Sequence, residues 1–302
     1  MDDQIILIRY GELSLKSEYV RNQFERTLIK NISNALKDAD VEFTIKKERG
    51  RIFLITNKPN LSKNILKKIF GIVSFSVAIK TDSNIDKISD HAINISKKYL
   101  SENVSFALRV TRVGTHDFTS KQVAEIIGSK IVNKIKAPVN LSNPDFELFI
   151  EIRNKHTYLF TEKVRGVGGL PLGTQGRILT LIEDSKSLLA SWFLMKRGCD
   201  AIFVILDNYD INVVKDFIKK WYLTTDVIKI DSKSKDIYTQ LNKIIEKNNC
   251  DGMITGNYLK DNKQLLKLKK YSRKIKVPLL NPLVAMNENE IIKKCKKIGL
   301  EI

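Results

Sequence analysis

The chain has 302 residues, room for two domains or three small ones. With 43% apolar and 28% charged residues it is not a disordered chain, and no uninterrupted apolar stretch reaches the roughly 18–20 residues of a membrane span. Lys and Arg outnumber Asp and Glu by 52 to 34, a formal charge of +18; the self-repulsion this costs is relieved by a polyanion, so nucleic acid leads membrane surfaces as the partner class.

The first strand is expected at Ile5–Ile8, an apolar run bounded by Gly11. Two acids before it and its short length argue against a secretory signal. From Ser17 the period changes: Val20, Phe24, Leu28, Ile32 and Ala35 share one helical face, with Ser17 as N-cap. Strands over 42–46 and 51–56 turn at Gly50, and a short helix from Ser62 ends at Gly71. This β-α-β-β-α order suits a split ferredoxin-like unit. A second unit follows. It reads as a strand over 75–80, a helix carrying Ile85, Ile88, Ala92, Ile95 and Tyr99, and a strand over 104–112. A helix through Val123, Ile126, Ile127, Ile131 and Ile135, capped by Thr119 or Ser120, leads to a hairpin of 146–153 and 157–161.

Residues 166–176, GVGGLPLGTQG, hold five of the 14 glycines and mark the clearest boundary. Beyond it, short apolar strands at 178–182, 201–206, 227–230, 253–255 and 277–280 alternate with helices. That rhythm describes an open parallel sheet with helices on both faces. The whole chain therefore reads as an α+β N-terminal half followed by a doubly wound, Rossmann-like α/β domain. The cysteines, Cys199, Cys250 and Cys295, form no CxxC pair, and the three histidines cluster with none of them. No metal site is expected, and the sparse thiols suit a reducing cytoplasm.

Several segments carry a family resemblance: IRYGELSLKS, FGIVSFS, LRVTR followed by FTSKQVAEIIGSKI, NPDFELFIEIR, TEKVRGVGGLPLGTQGRI, MKRG, TGNYL and NPLVAMNENEII. Together they make the chain similar to the ThiI family of tRNA 4-thiouridine sulfurtransferases, over nearly its whole length. The resemblance implies a ferredoxin-like domain at 1–71, a THUMP RNA-binding domain at 72–165, a Gly-rich linker at 166–176 and a PP-loop-like domain at 177–302. It also implies tRNA as partner, held near the acceptor stem.

One departure bears on function. Family members that activate uridine carry SGGxDSP after the first strand of the last domain, whereas this chain has Leu181-Ile-Glu-Asp-Ser-Lys-Ser-Leu188. A phosphate cradle needs backbone that approaches without Cβ and converging N–H groups. Glu183 and Asp184 instead put carboxylates where phosphate belongs, at a cost of several kcal/mol per like-charge pair at ~4 Å. The loop Glu183, Asp184, Ser185, Lys186, Ser187 is expected to be a degenerate nucleotide loop, with Asp184 or Ser185 capping the next helix. Neither a CxxC motif nor a rhodanese domain is expected; Cys295, among Lys293, Lys294, Lys296 and Lys297, reads as a helix residue facing the sheet.

The expected RNA contacts are Arg109 and Arg112 at a strand end, Thr119, Ser120 and Lys121 at the next helix start, and Lys163 and Arg165 entering the linker. Lys46, Lys47, Arg49 and Arg51 about the first hairpin join them. The glycines of the linker leave its backbone free to approach a nucleotide. No catalytic residue and no cofactor are assigned, and a separate thiolation enzyme is a candidate partner. The alternative is an active sulfurtransferase that adenylates a tRNA uridine with ATP and Mg and then transfers persulfide sulfur. That reading needs an unorthodox phosphate site built on Lys186 and Ser185.

Overall fold

The computed structural model describes residues 4–11, 17–48, 50–206, 209–231, 236–259 and 261–301. They divide into two compact units. The first runs up to Arg9 and includes Asp40–Asn64 and Ser74–Arg165; the second comprises Tyr10–Ala39, Ile65–Val73 and the chain from Gly166 onward.

In chain order the first elements are β1 (Gln4–Tyr10), α1 (Glu18–Lys37), β2 (Phe43–Glu48), β3 (Arg51–Thr56), α2 (Pro59–Leu66) and β4 (Ile72–Asp82). Then come α3 (Ile85–Ser96), β5 (Phe106–Val113), α4 (Ser120–Ile135), β6 (Phe146–Arg153), β7 (His156–Phe160) and β8 (Val164–Arg165). The strands form one sheet in the order β2-β3-β1-β4-β7-β6-β5, with β8 beside β4. Only β5 and β6 pair in parallel among the registers described; β1–β3, β2–β3, β4–β7, β4–β8 and β6–β7 are antiparallel.

Strand parity separates the two faces of this sheet. Leu148, Ile150, Ile152 and Leu159 pack with Ile88 and Ala92 of α3 and Val123, Ile127 and Ile131 of α4. The opposite parity brings Ile5, Leu7, Phe53, Ala78, Tyr158 and Phe160 into a separate cluster that contains no helix residue. We call this second surface the aromatic face.

The second unit holds α1, the linker and β9 (Arg177–Ile182), α5 (Ser185–Lys196), β10 (Asp200–Leu206), α6 (Ile211–Lys220), β11 (Val227–Ile230) and α7 (Ile237–Lys247). It continues with β12 (Gly252–Ile254), α8 (Asn262–Lys274), β13 (Leu279–Leu280) and α9 (Glu288–Ile298). All pairings in its sheet, ordered β11-β10-β9-β12-β13, are parallel. Parity again sorts the helices. Ile178, Ile182, Phe203 and Ile205 pack with Leu188, Phe217 and Ile291, which belong to α5, α6 and α9. Leu179, Leu181, Ile202 and Val204 pack with Leu241 and Tyr271, from α7 and α8. Buried on both faces, these strands read as unbroken apolar runs, as parallel strands do.

The linker is not a loose tether. Gly71 N–H donates to Gly168 O and Gly168 N–H to Ile72 O, at 3.0 and 2.8 Å. Leu170 N–H donates to Lys196 O at 3.0 Å, and the amides of Gly173, Thr174 and Gln175 converge on Gly198 O. Gly169 has φ +76°, and a Cβ there would lie 2.0 Å from Lys196 O. The linker backbone thus approaches the C-terminal end of α5, a protein surface, instead of standing free for a nucleotide.

Three expected elements shift. The helix expected from Ser62 starts at Pro59 and ends at Leu66, because Pro suits the first helical turn; Ser62 is buried in mid-helix. Tyr99, assigned to a helix face, lies beyond α3 and stacks on Phe146 at 5.0 Å. The last strand shortens to Leu279–Leu280, since Pro278 has no N–H for a ladder, though its carbonyl accepts from Met253 N–H at 2.9 Å.

Candidate functional site

Two places carry chemistry, one in each unit. The first is centred on Glu151, on the aromatic face. Alternation along β1 puts Arg9 on the same side as Ile5 and Leu7; along β6 it puts Glu151 and Arg153 beside Phe149. Arg51 donates to both Glu151 oxygens at 2.8 and 3.3 Å, Arg9 to Oε2 at 3.4 Å and Arg153 to Oε1 at 3.1 Å. Those donors fill the roughly four lone-pair sites of a carboxylate. Arg9 also donates to Ser76 Oγ at 2.9 Å and lies 4.7 Å above the Phe160 ring, while Lys163 Nζ lies 4.1 Å above Phe149. Glu48 reaches Arg153 at 3.7 Å.

The electrostatics follow from burial. Only 5% of the Glu151 side chain is exposed. Burial pushes its carboxyl pKa up, but Arg51, Arg9 and Arg153 together bring it below the ordinary value. Burial likewise depresses Arg9, with Glu151 opposing and Arg51 and Arg153 adding to the fall. Burial lowers Lys163 too, and Arg9 adds to that. Tyr158, beneath this network, is pushed up to about 12 by burial and then by Glu48.

The expected RNA residues divide between locations. In register, Lys46 opposes Phe53, and Arg109 opposes Phe149, so both join Arg51 and Lys163 on the aromatic face. Lys47 and Arg112 oppose Ile52 and Ile152 and have the other parity. Arg109 is engaged by Glu147 at 2.6 Å and by Leu141 O at 2.9 Å. Arg112 donates to Gly114 O and lies 3.4 Å from His116 Nδ1, bracing the turn. Thr119, not Ser120, caps α4, in a capping box with Gln122; this occupies donors otherwise available to phosphate. Lys121 is exposed, 3.8 Å from Glu125, and Arg165 is exposed in β8. Arg49 lies outside the described residues. Arg9, Arg153 and Glu151 escaped the sequence reading; the available signal was charge at core parity within apolar strands.

The second place is the first turn of α5. In the order β11-β10-β9-β12-β13 the strand sequence reverses between β9 and β12, the crevice where open α/β sheets bind ligands. The α5 N-terminus and the loop after β12 meet there. Asp184 Oδ1 accepts from Lys186 N–H at 2.9 Å and Ser187 N–H at 3.2 Å, and its Oδ2 pairs with Lys186 Nζ at 2.7 Å. Burial lowers the Lys186 pKa, but Asp184 more than reverses this and leaves it raised. Glu183 N–H donates to Ser187 Oγ at 3.2 Å, and Ser185 lies 3.3 Å from Tyr209 OH. Gly256 closes the other side; a Cβ on it would sit 2.4 Å from Ser187 N. Asn257, beside it, is buried, and its Nδ2 has no partner among the described residues.

Of the two acids expected at the phosphate position, Asp184 lies at the start of α5 and Glu183 turns away from it. The Glu183 carboxylate turns to α8, where Lys267 Nζ stands 2.7 Å from Oε1 and Tyr271 OH donates to it at 3.1 Å. Burial and Glu183 push the Tyr271 pKa up. At the start of α5 the Lys186 and Ser187 amides donate to the Asp184 carboxylate, which occupies the place an anion would take at a helix N-terminus.

The thiols offer no nucleophile. Cys199, Cys250 and Cys295 are all buried. Burial and Asp184 raise Cys295 to about 11 against the smaller opposing effect of Lys186; its α9 lysine neighbours do not lower it. Among the described residues no group of His, Cys, Asp or Glu is placed to hold a metal, and no helix is long and apolar enough to cross a membrane.

The folds define a THUMP-containing protein with a parallel-sheet α/β unit. Residues 5–76 match the ThiI ferredoxin-like domain, 82–162 the THUMP domain, and 226–301 the family "Thiamine biosynthesis protein (ThiI)". A probable tRNA sulfurtransferase of Methanocaldococcus jannaschii is 35% identical, over 97% of this chain and 87% of the relative. One of Methanobrevibacter smithii is 30% identical, over 99% and 87%. The crystal structure of PH1313 from Pyrococcus horikoshii superposes with a TM-score of 0.85 at 30% identity, covering 98% of this chain and all of that one. A 4-thiouridine synthetase–RNA complex with bound ATP shares the fold, with a TM-score of 0.82 at 22% identity over 98% and 85%. The chain belongs to the ThiI family, whose relatives here are named tRNA sulfurtransferases.

Proposed function

We propose that this protein binds tRNA near the acceptor stem through its ferredoxin-like and THUMP domains, in the cytoplasm, and does not itself activate a nucleotide. Three lines support RNA binding: the formal charge of +18, the THUMP match at 82–162, and relatives named for tRNA sulfurtransfer. One observation carries the loss of nucleotide chemistry, the Asp184 carboxylate seated on the Lys186 and Ser187 amides. Its helix start already holds an anion, so a phosphate brought there meets a negative charge on the amides it would use. The α/β unit then serves as a scaffold, and a separate thiolation enzyme supplies the chemistry.

Filter binding of radiolabelled tRNA to the full chain at rising salt tests the first half. The logarithm of affinity is expected to fall linearly with the logarithm of salt, as counterion release requires. Binding no stronger than to an equally basic unrelated protein contradicts it. Deleting the gene and assaying tRNA 4-thiouridine tests whether the protein serves thiolation; an unchanged level of the modified base removes it from that process.

A further inference from the structure

We propose that Glu151 is a positioning residue: it gathers Arg9, Arg51 and Arg153 into a fixed guanidinium fan, with Lys163 beside it, that seats the phosphodiester backbone of RNA on the aromatic face of the first unit. This rests on the reading that the chain binds tRNA.

The geometry is more than a structural ion pair requires. One carboxylate matched to one arginine would be neutral, yet Glu151 accepts from three guanidiniums. Glu48 reaches the fan at Arg153, at 3.7 Å. With Lys163 over Phe149, cations outnumber carboxylates at this spot among the described residues, and burial already weakens the proton hold of Arg9 and Lys163. Like charges held together in a largely buried place, where 12% of the Arg9 and 7% of the Arg153 side chain is exposed, are costly, and an anion bound at the more exposed Arg51 lowers that cost.

The surroundings select the anion. Arg51 keeps 25% of its side chain exposed, and exposed Lys46 and Lys80 extend positive charge along the same face, opposite Phe53 and Tyr158 in register. A line of cations across neighbouring strands complements a polymer with regularly spaced phosphates better than a single small anion. Planar guanidiniums also match phosphate oxygens bidentately, provided something fixes their planes. Glu151 fixes them on one side, and the Phe160 ring does so under Arg9 at 4.7 Å. The aromatic rings are buried beneath the cations, so the face offers backbone contacts instead of base stacking.

The test is a substitution whose electrostatic and positioning outcomes have opposite signs. Glu151→Gln keeps the shape and makes the protein one charge more positive. A purely electrostatic patch then binds tRNA as tightly or tighter. A positioning role predicts weaker binding, by about tenfold, with far-ultraviolet circular dichroism unchanged. Arg51→Gln should weaken binding and lower the salt slope by about 1, whereas Lys134→Gln on α4 should do neither beyond its long-range charge effect. Acetylation footprinting of the wild-type chain removes any dependence on variant folding. Bound tRNA should protect Lys46, Lys80 and Lys163 and leave Lys134 reactive. Equal or tighter binding by folded Glu151→Gln, or unprotected lysines on a chain that does bind tRNA, overturns the assignment alone. A wild-type chain that binds no tRNA overturns the functional reading as well.

Discussion

Glu151 and Asp184 are both carboxylates among cations, with opposite consequences. Glu151 is outnumbered: three guanidiniums share it, and positive charge is left over. Asp184 is matched: one lysine pairs with it and two amides donate to it. On the proposed reading an anion is welcome at the first place and redundant at the second. Whether a carboxylate opens or closes an anion site therefore depends on how many donors it leaves unanswered, which local sequence does not state.

Stability separates the two most sharply. Glu151→Ala leaves three clustered guanidiniums without their acceptor, and we expect a loss of about 3–5 kcal/mol in urea unfolding. Asp184→Ala removes an N-cap and one partly exposed ion pair and should cost about 1–2 kcal/mol. Equal losses would break the comparison. Asp184→Gly sharpens it, because glycine costs little at an N-cap and releases the α5 amides. Calorimetry should then detect weak pyrophosphate binding that the wild-type chain lacks; no gain would mean that Asp184 is not what closes the site.

Acid separates them next. The Glu151 carboxyl pKa lies below its ordinary 4.5, so its stabilising contribution is complete above that value and is lost as pH falls through the folded-state pKa. Unfolding free energy should decline below about pH 4.5, and Glu151→Gln should flatten part of that decline. A variant with an unchanged acid slope would show that the fan does not depend on the carboxylate charge. The smallest effect concerns the thiols. Cys250 and Cys295 are pushed up to about 11 by burial, so native protein at pH 8 should take up almost no iodoacetamide until unfolded. Rapid labelling of Cys295 would reopen a nucleophilic role for the α/β unit.

Most of the fold was legible because periodicity reports burial. The β9 and β10 runs, buried on both faces, and the 3.6-residue spacing in α1, α3 and α4 named their elements directly. The N-cap of α5 was legible to within one residue: Asp184 or Ser185 could serve, and Asp184 does. What local sequence could not supply was pairing at a distance. Arg9 and Glu151 are 142 residues apart, and Glu183 and Lys267 are 84 apart. Both contacts turned plain charges into neighbours only after the sheets were built. The glycine linker misled in a related way: its backbone approaches a carbonyl of α5, so the freedom it implied serves packing.

Titrating Mg-ATP by calorimetry into the full chain already saturated with tRNA tests the central claim most directly. The account predicts no saturable heat, because Asp184 holds the amides that phosphate would need. A one-site isotherm that disappears in Lys186→Ala or Ser185→Ala would contradict it and make the protein an ATP-using sulfurtransferase.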